Sequence, residues 1–267
     1  HRMVPITFLV SVGTVAFYGL LAPPLARWLG LSVASPQGVL FVGASPWVCQ
    51  IAKLLQDEGF RVLLVDTNRQ NQQTARMLGL PVIAGDALSE YVHTNTDLAG
   101  IGRLLAVTPS DEVNMLAALE FQHTFGRAEV YQLAPSNDGK ERTDKPQHLK
   151  SRILFSEDAT YDSLEDRYER NGQIKRTQLT ETFGYDDYQR TYGDAALPLF
   201  RITDSGQLIV CTAEKSKNPP KAGEVIVALV TPELQPKETA PSDNAQASQE
   251  QPAAVAAQSE PAPGSSS

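Results

Sequence analysis

The sequence predicts an α/β protein. In chain order it should hold one N-terminal transmembrane helix, a doubly wound, Rossmann-like parallel sheet, a small α+β, β-rich domain and a disordered tail. Three observations predict this. Residues 3–26 carry no charge. Five short apolar runs alternate with helical patterns between residues 38 and 133. After Leu234 the chain is mostly Pro, Ala, Gln, Glu and Ser, with no aromatic residue. A strand covered on both faces reads as a continuous apolar run, and strands alternating with helices imply right-handed crossovers in a parallel sheet.

The first element is the uncharged run. Residues 4–22 (VPITFLVSVGTVAFYGLLA) span about 28 Å as a helix, close to a hydrocarbon core of about 30 Å. Tyr18 and Trp28 suit the interface, Pro23 and Pro24 end the helix, and Arg27 stays among headgroups. A secretory signal has a shorter core of about 7–15 residues and then a small-residue cleavage site. Here PPLARW follows, so residues 1–31 read as a transmembrane helix rather than a leader or a buried core helix. The chain opens on His1, which reads as a fragment with further sequence upstream.

Residues 36–135 carry the βαβ pattern. GVLFVG (38–43) is the first strand, and Ser45-Pro46 starts a helix with Ser as cap and Pro at its first position. Trp47, Ile51, Leu54 and Leu55 point inward from that helix, which ends near Gly59. RVLLVD (61–66), PVIAGD (81–86), RLLAVT (103–108) and AEVYQL (128–133) are the next strands. Helices fall at 71–78 and 111–125, the latter with Val113, Leu116, Ala117 and Phe121 at helical spacing.

In such a sheet the first strand-to-helix turn is the default anion site, because free N–H groups and the helix dipole favour phosphate there. The usual G-x-G-x-x-G is replaced by GASPWV: Gly43 keeps the first position, and Ser45 and Val48 replace the other two glycines. Ser45 adds a side chain where pyrophosphate would pass, though its hydroxyl could bond a phosphate oxygen. Asp66, 23 residues after Gly43, ends the second strand, where a carboxylate accepts hydrogen bonds from ribose hydroxyls. Asp86 and Thr108 end the third and fourth strands and should face the same crevice. The cofactor-binding candidates are therefore Gly43, Ser45, Asp66, Asp86 and Thr108, for NAD, NADH or an adenine nucleotide. The alternative is a sheet that serves as a scaffold, with Asp66 and Asp86 as solvated turn residues.

Residues 136–150 read as a polar linker and 151–232 as a small α+β regulatory domain. Its helix (162–170) reads as a solvated charged face, and its strands fall at 173–180, 197–203, 207–212 and 224–230. Tyr185, Tyr188 and Tyr192 read as packing residues. Residues 233–267 cannot bury enough apolar area to offset chain entropy and are expected to be disordered.

Composition closes off other classes. The chain has 23 basic and 31 acidic residues, a net charge of −8, with no basic block, which argues against a nucleic-acid partner. Cys49 and Cys211 are far apart and lack neighbours at ligand spacing, so neither a disulfide framework nor a metal site is expected.

Residues 13–31 (GTVAFYGLLAPPLARWLGL) resemble the last transport helix of a bacterial monovalent cation:proton antiporter of the sodium/proton exchanger family. GVLFVGASPWVCQIAKLLQDEGFRVLLVDTN, GLPVIAGDALSEY and GRLLAVTPSDEVNMLAALEFQHTFGRAEVYQLAP, between residues 38 and 135, resemble its appended RCK/TrkA-N-type domain. The resemblance implies exchange of Na⁺ or K⁺ for H⁺ by a homodimer in the cytoplasmic membrane. Missing upstream transport helices and membrane lipid would be its partners, and everything after Arg27 would lie in the cytoplasm as a regulator. Potassium-channel and potassium-uptake gating subunits share this sheet, but the stretch GLLAPPLARWLGL looks like an exchanger exit rather than a pore helix. A membrane-tethered NAD-dependent oxidoreductase would need a catalytic acid/base such as a Tyr–Lys pair. The sequence offers none, so no enzyme is expected.

Overall fold

The computed structural model describes residues 8, 10–19, 21, 36–90, 92, 96–136, 152–214 and 219–232. The expected tail, nearly all of the expected linker, and much of the uncharged run lie outside these residues. Of that run, residues 10–19 are helical. Among the described residues no helix is long and apolar enough to cross a membrane.

Six parallel strands form the first sheet: β1 (Gly38–Val42), β2 (Val62–Asp66), β3 (Val82–Ala84), β4 (Ile101–Ala106), β5 (Val130–Gln132) and β6 (Arg152–Ile153). Their order is β3-β2-β1-β4-β5-β6, so the chain reverses direction across the sheet between β1 and β4. That is the doubly wound Rossmann order. The sixth strand was not expected, since two paired residues beyond a polar stretch leave no apolar run to read.

Both faces of the sheet are covered, which explains the unbroken apolar reading of β1. Val39 and Phe41 pack with Trp47, Ile51 and Leu55 of α1 (Pro46–Asp57). Leu40 and Val42 instead join Ala117, Ala118 and Phe121 of α3 (Asp111–Phe125) on the opposite face. Burying each Val, Leu, Ile or Phe among these contributes about 1.5–3 kcal/mol. Helix α2 (Arg69–Met77) adds Ala75 to the α1 side. Leu116, expected to point inward from α3, is 45% exposed, because Ala117, Ala118 and Phe121 already fill the sheet-facing stripe.

The second sheet is antiparallel, in the order β7-β10-β8-β9, from β7 (Gln173–Gln178), β8 (Ala196–Ile202), β9 (Leu208–Val210) and β10 (Val225–Val230). Strand β10 is buried throughout. Val225, Val227 and Leu229 reach the core that holds α1, whereas Ile226, Ala228 and Val230 pack with Tyr188 of α5 (Tyr185–Tyr192). Helix α1 therefore lies between the two sheets. Helix α4 (Tyr161–Glu169) adds Leu164 to the same core. Pro198 is tolerated inside β8 because the register shifts there: Val227 opposes Phe200 and Ala228 opposes Pro198.

Helix α5 was not foreseen. Its tyrosines fall at helical spacing, and the rings pack in sequence, Tyr185 on Tyr188 at 6.2 Å and Tyr188 on Tyr192 at 5.1 Å. The surrounding acids hid the pattern.

The two sheets are tied by specific bonds. Phe155 donates its N–H to the Cys211 carbonyl at 2.9 Å, and Leu154 bridges Thr212. Arg103 of β4, only 5% exposed, donates to the Leu208 carbonyl at 2.7 Å. Gln37 Oε1 accepts both from Arg103 at 3.2 Å and from the Leu208 N–H at 3.0 Å.

Candidate functional site

Ligands in open α/β sheets bind outside the carboxyl ends of the strands, where the strand order reverses. Here that point lies between β1 and β4, and a crevice of about 540 Å³ opens there. All five residues singled out from the sequence line it: Gly43, Ser45, Asp66, Asp86 and Thr108.

Gly43 leaves β1 with φ +110°, and an added Cβ would sit 2.8 Å from the Val107 carbonyl oxygen. The glycine is thus required by both backbone conformation and close approach. Ser45 occupies the N-cap position of α1, as expected, but its side chain makes no cap hydrogen bond. It is 4% exposed, and its hydroxyl finds no hydrogen-bond partner. Pro46 follows at the first helical position. Val48 is fully buried in the core beside α1, so the bulk that replaces the third glycine is absorbed by packing.

The Asp66 carboxylate accepts three hydrogen bonds. Its Oδ2 accepts from the Ala44 N–H at 2.7 Å and from Asn71 Nδ2 at 2.9 Å. Its Oδ1 accepts from the Asn68 N–H at 2.7 Å. Asn68 in turn caps α2 by accepting from the Gln70 N–H at 2.8 Å. The carboxylate therefore fastens the β1 turn to the start of α2.

Asp86 is exposed and holds its own turn, Oδ1 accepting from the Leu88 N–H at 2.9 Å. Thr108 is pinned by Asn114, which is 2% exposed. Thr108 donates to Asn114 Oδ1 from both N–H and hydroxyl at 2.8 Å, and Asn114 Nδ2 returns a bond to the Thr108 carbonyl at 2.8 Å.

One lining residue, Glu165, comes from the segment read as a solvated face, and Tyr161 precedes that segment on the same helix. Tyr161 and Glu165 of α4 close one side of the crevice, whereas Asp166 and Arg170 pair at 3.1 Å in solvent as expected. The Tyr161 ring lies 6.0 Å from that of Trp47. Burial raises the Tyr161 phenol above its usual value, the nearby Ser45 hydroxyl opposes the rise without reaching hydrogen-bond geometry, and the Glu165 charge adds to it. Asn71, Asn114, Tyr161 and Glu165 were missed because each acts by tertiary placement, without a motif of its own.

The lining is acidic. Among the described residues, Asp66, Asp86 and Glu165 are its charged members, and no Lys, Arg or His lines it. Among the described residues no group of His, Cys, Asp and Glu is arranged to hold a metal ion. Cys49 lies behind the turn and donates to the Ala44 carbonyl at 3.3 Å; burial, and then the Asp66 charge, push its thiol up to about 11.

Fold and crevice together define a Rossmann-type domain with a cavity at the switch point. More narrowly, residues 39–145 match the profile of the TrkA-N domain, so this part of the chain is a TrkA-N-type Rossmann domain. Two proteins named Trk system potassium uptake protein TrkA homolog, from Pyrococcus horikoshii and Pyrococcus abyssi, are each 27% identical to this chain over 86 residues. The match covers 32% of this chain and 38% of the length of either relative. Among solved structures, a GsuK channel bound to NAD aligns at TM-score 0.36 and 12% identity, covering 75% of this chain and 37% of that one. The NAD(P)-binding domain of an exopolyphosphatase-related protein from Archaeoglobus fulgidus aligns at TM-score 0.37 and 16% identity, over 51% of this chain and 96% of the other.

Proposed function

We propose that this chain is the cytoplasmic regulatory region of a membrane cation:proton antiporter, exchanging Na⁺ or K⁺ for H⁺ and working as a homodimer. The observation that carries the regulatory part is the crevice itself: a cavity at the switch point of a TrkA-N domain, with all five expected residues on its wall. A ligand held there biases transport only if it prefers one conformational state, with a coupling of about 1–3 kcal/mol. The antiporter part is supported by the uncharged run of residues 3–26 and the PPLARW exit that follows it. In this reading the crevice binds and performs no bond chemistry.

A second reading, a gating subunit of potassium uptake, is favoured by the names of the two Pyrococcus relatives. Proton coupling separates the two. In everted vesicles carrying the whole protein, addition of Na⁺ or K⁺ should collapse a preset pH gradient, and Asp66→Ala should change that rate at least threefold at equal protein level. Potassium movement without proton movement would favour the gating subunit. A pH response that Asp66→Ala leaves unchanged would remove the crevice from the account.

NAD, or another adenine nucleotide, is the ligand this fold invites. Its ribose would find Asp66, but among the described residues its pyrophosphate finds neither a cation nor an open turn, so those residues do not fit the phosphate part of the group.

A further inference from the structure

We infer that the crevice takes a phosphate-free nucleoside and turns away NAD and the adenine nucleotides. The inference rests on the crevice being the small-molecule site proposed above, and names the chemical class of its ligand.

A helix N-terminus attracts phosphate through its first backbone N–H groups. At α1 Pro46 removes one of these groups, and the turn before the helix opposes an anion in two further ways. The Ala44 N–H is already bonded to Asp66 at 2.7 Å, so a carboxylate of the protein stands where an incoming anion would compete. Pro46, at the first helical position, has no N–H to give. Ser45 fills the place where a glycine would admit pyrophosphate to the backbone. The charge of the wall acts in the same direction. Among the described residues, Asp66, Asp86 and Glu165 line the cavity with no basic residue to offset them, so a phosphate entering it meets repulsion from each of these charged neighbours.

What remains suits a neutral, hydroxyl-rich and amine-bearing molecule. A carboxylate offers about four acceptor positions, and Asp66 has filled three of them, leaving one for a ribose hydroxyl. Asp86 spends Oδ1 on the Leu88 N–H, while Oδ2 has no partner among the described residues and can accept from a ribose hydroxyl or an exocyclic amine. The Ser45 hydroxyl is almost wholly buried in the wall with no partner of its own, an unsatisfied group that a ligand hydroxyl or ring nitrogen would complete. The volume of about 540 Å³ admits a nucleoside with room to spare.

The test is calorimetric titration of the full 267-residue chain in detergent with adenosine, AMP and NAD. Adenosine should bind at least tenfold more tightly than either AMP or NAD. Glu165→Gln should narrow the adenosine-to-AMP ratio threefold or more by relieving repulsion, and raising salt from 50 to 500 mM should narrow it in the wild type for the same reason. Asp66→Ala, with its fold verified by circular dichroism, should abolish adenosine heat. AMP or NAD binding as tightly as adenosine would overturn the assignment, as would no heat from any of the three. Tight NAD binding would leave the regulatory reading standing, whereas the vesicle assay fails or succeeds whichever compound binds.

Discussion

At the scale of single residues, Asp66 holds the crevice together by accepting from Ala44, Asn68 and Asn71. Its replacement by Ala leaves two backbone N–H groups and one amide without their acceptor, at a cost of about 1–3 kcal/mol, which urea unfolding would register. Gly43→Ala forces a Cβ to within 2.8 Å of the Val107 oxygen at a positive φ, and should lower the melting temperature by more than Ala substitution at Gly79, where nothing crowds the added carbon. Cys49 and Cys211 are both pushed by burial from 9.0 to about 11. The folded chain then holds these protons more tightly than the unfolded one. That stability is whole below pH 9 and is lost as the pH climbs toward 11. A thermal melt series across pH 8–11 should fall above pH 9, and the double variant Cys49→Ala, Cys211→Ala should fall less steeply. Gly43, Asp66, Asp86 and Thr108 were legible because strand ends and spacing alone place them. Asn114 and Tyr161 were not, since nothing local in the sequence says that one would pin the Thr108 turn and the other would line the crevice.

Among the elements, β10 shows how burial on two faces reads in sequence. VIVALV is apolar throughout because it packs on α1 with one set of side chains and on α5 with the other. Leu229→Ala should therefore cost about 2–5 kcal/mol in chemical unfolding, above what a partly buried strand residue such as Ile174 would give. Strands β1, β2 and β4 were legible for the same reason, as were the helices with a clear cap and apolar stripe. Strand β6 and helix α5 escaped: the first is too short to form a pattern, and the second buries tyrosines within a run of acids, where charge masks the spacing.

For the whole molecule, the question is how far the two sheets behave as one. One continuous core runs from β1 through α1 to β10, and the buried Arg103 bonds across to Leu208 and Gln37. Arg103→Ala would leave the Leu208 carbonyl unpaired and should speed amide hydrogen exchange in β9 more than in β2, a contrast that mass spectrometry would resolve. Topology at this scale was legible from the alternation of strands and helices. The clamp was not, because an arginine inside an apolar run announces no partner 105 residues away. The inner anion at the β1 turn carries a last consequence. Because one carboxylate grips the Ala44 amide on one side and the Asn68 amide on the other, the β1 turn and the start of α2 are yoked, and a push on either should be passed to its neighbour.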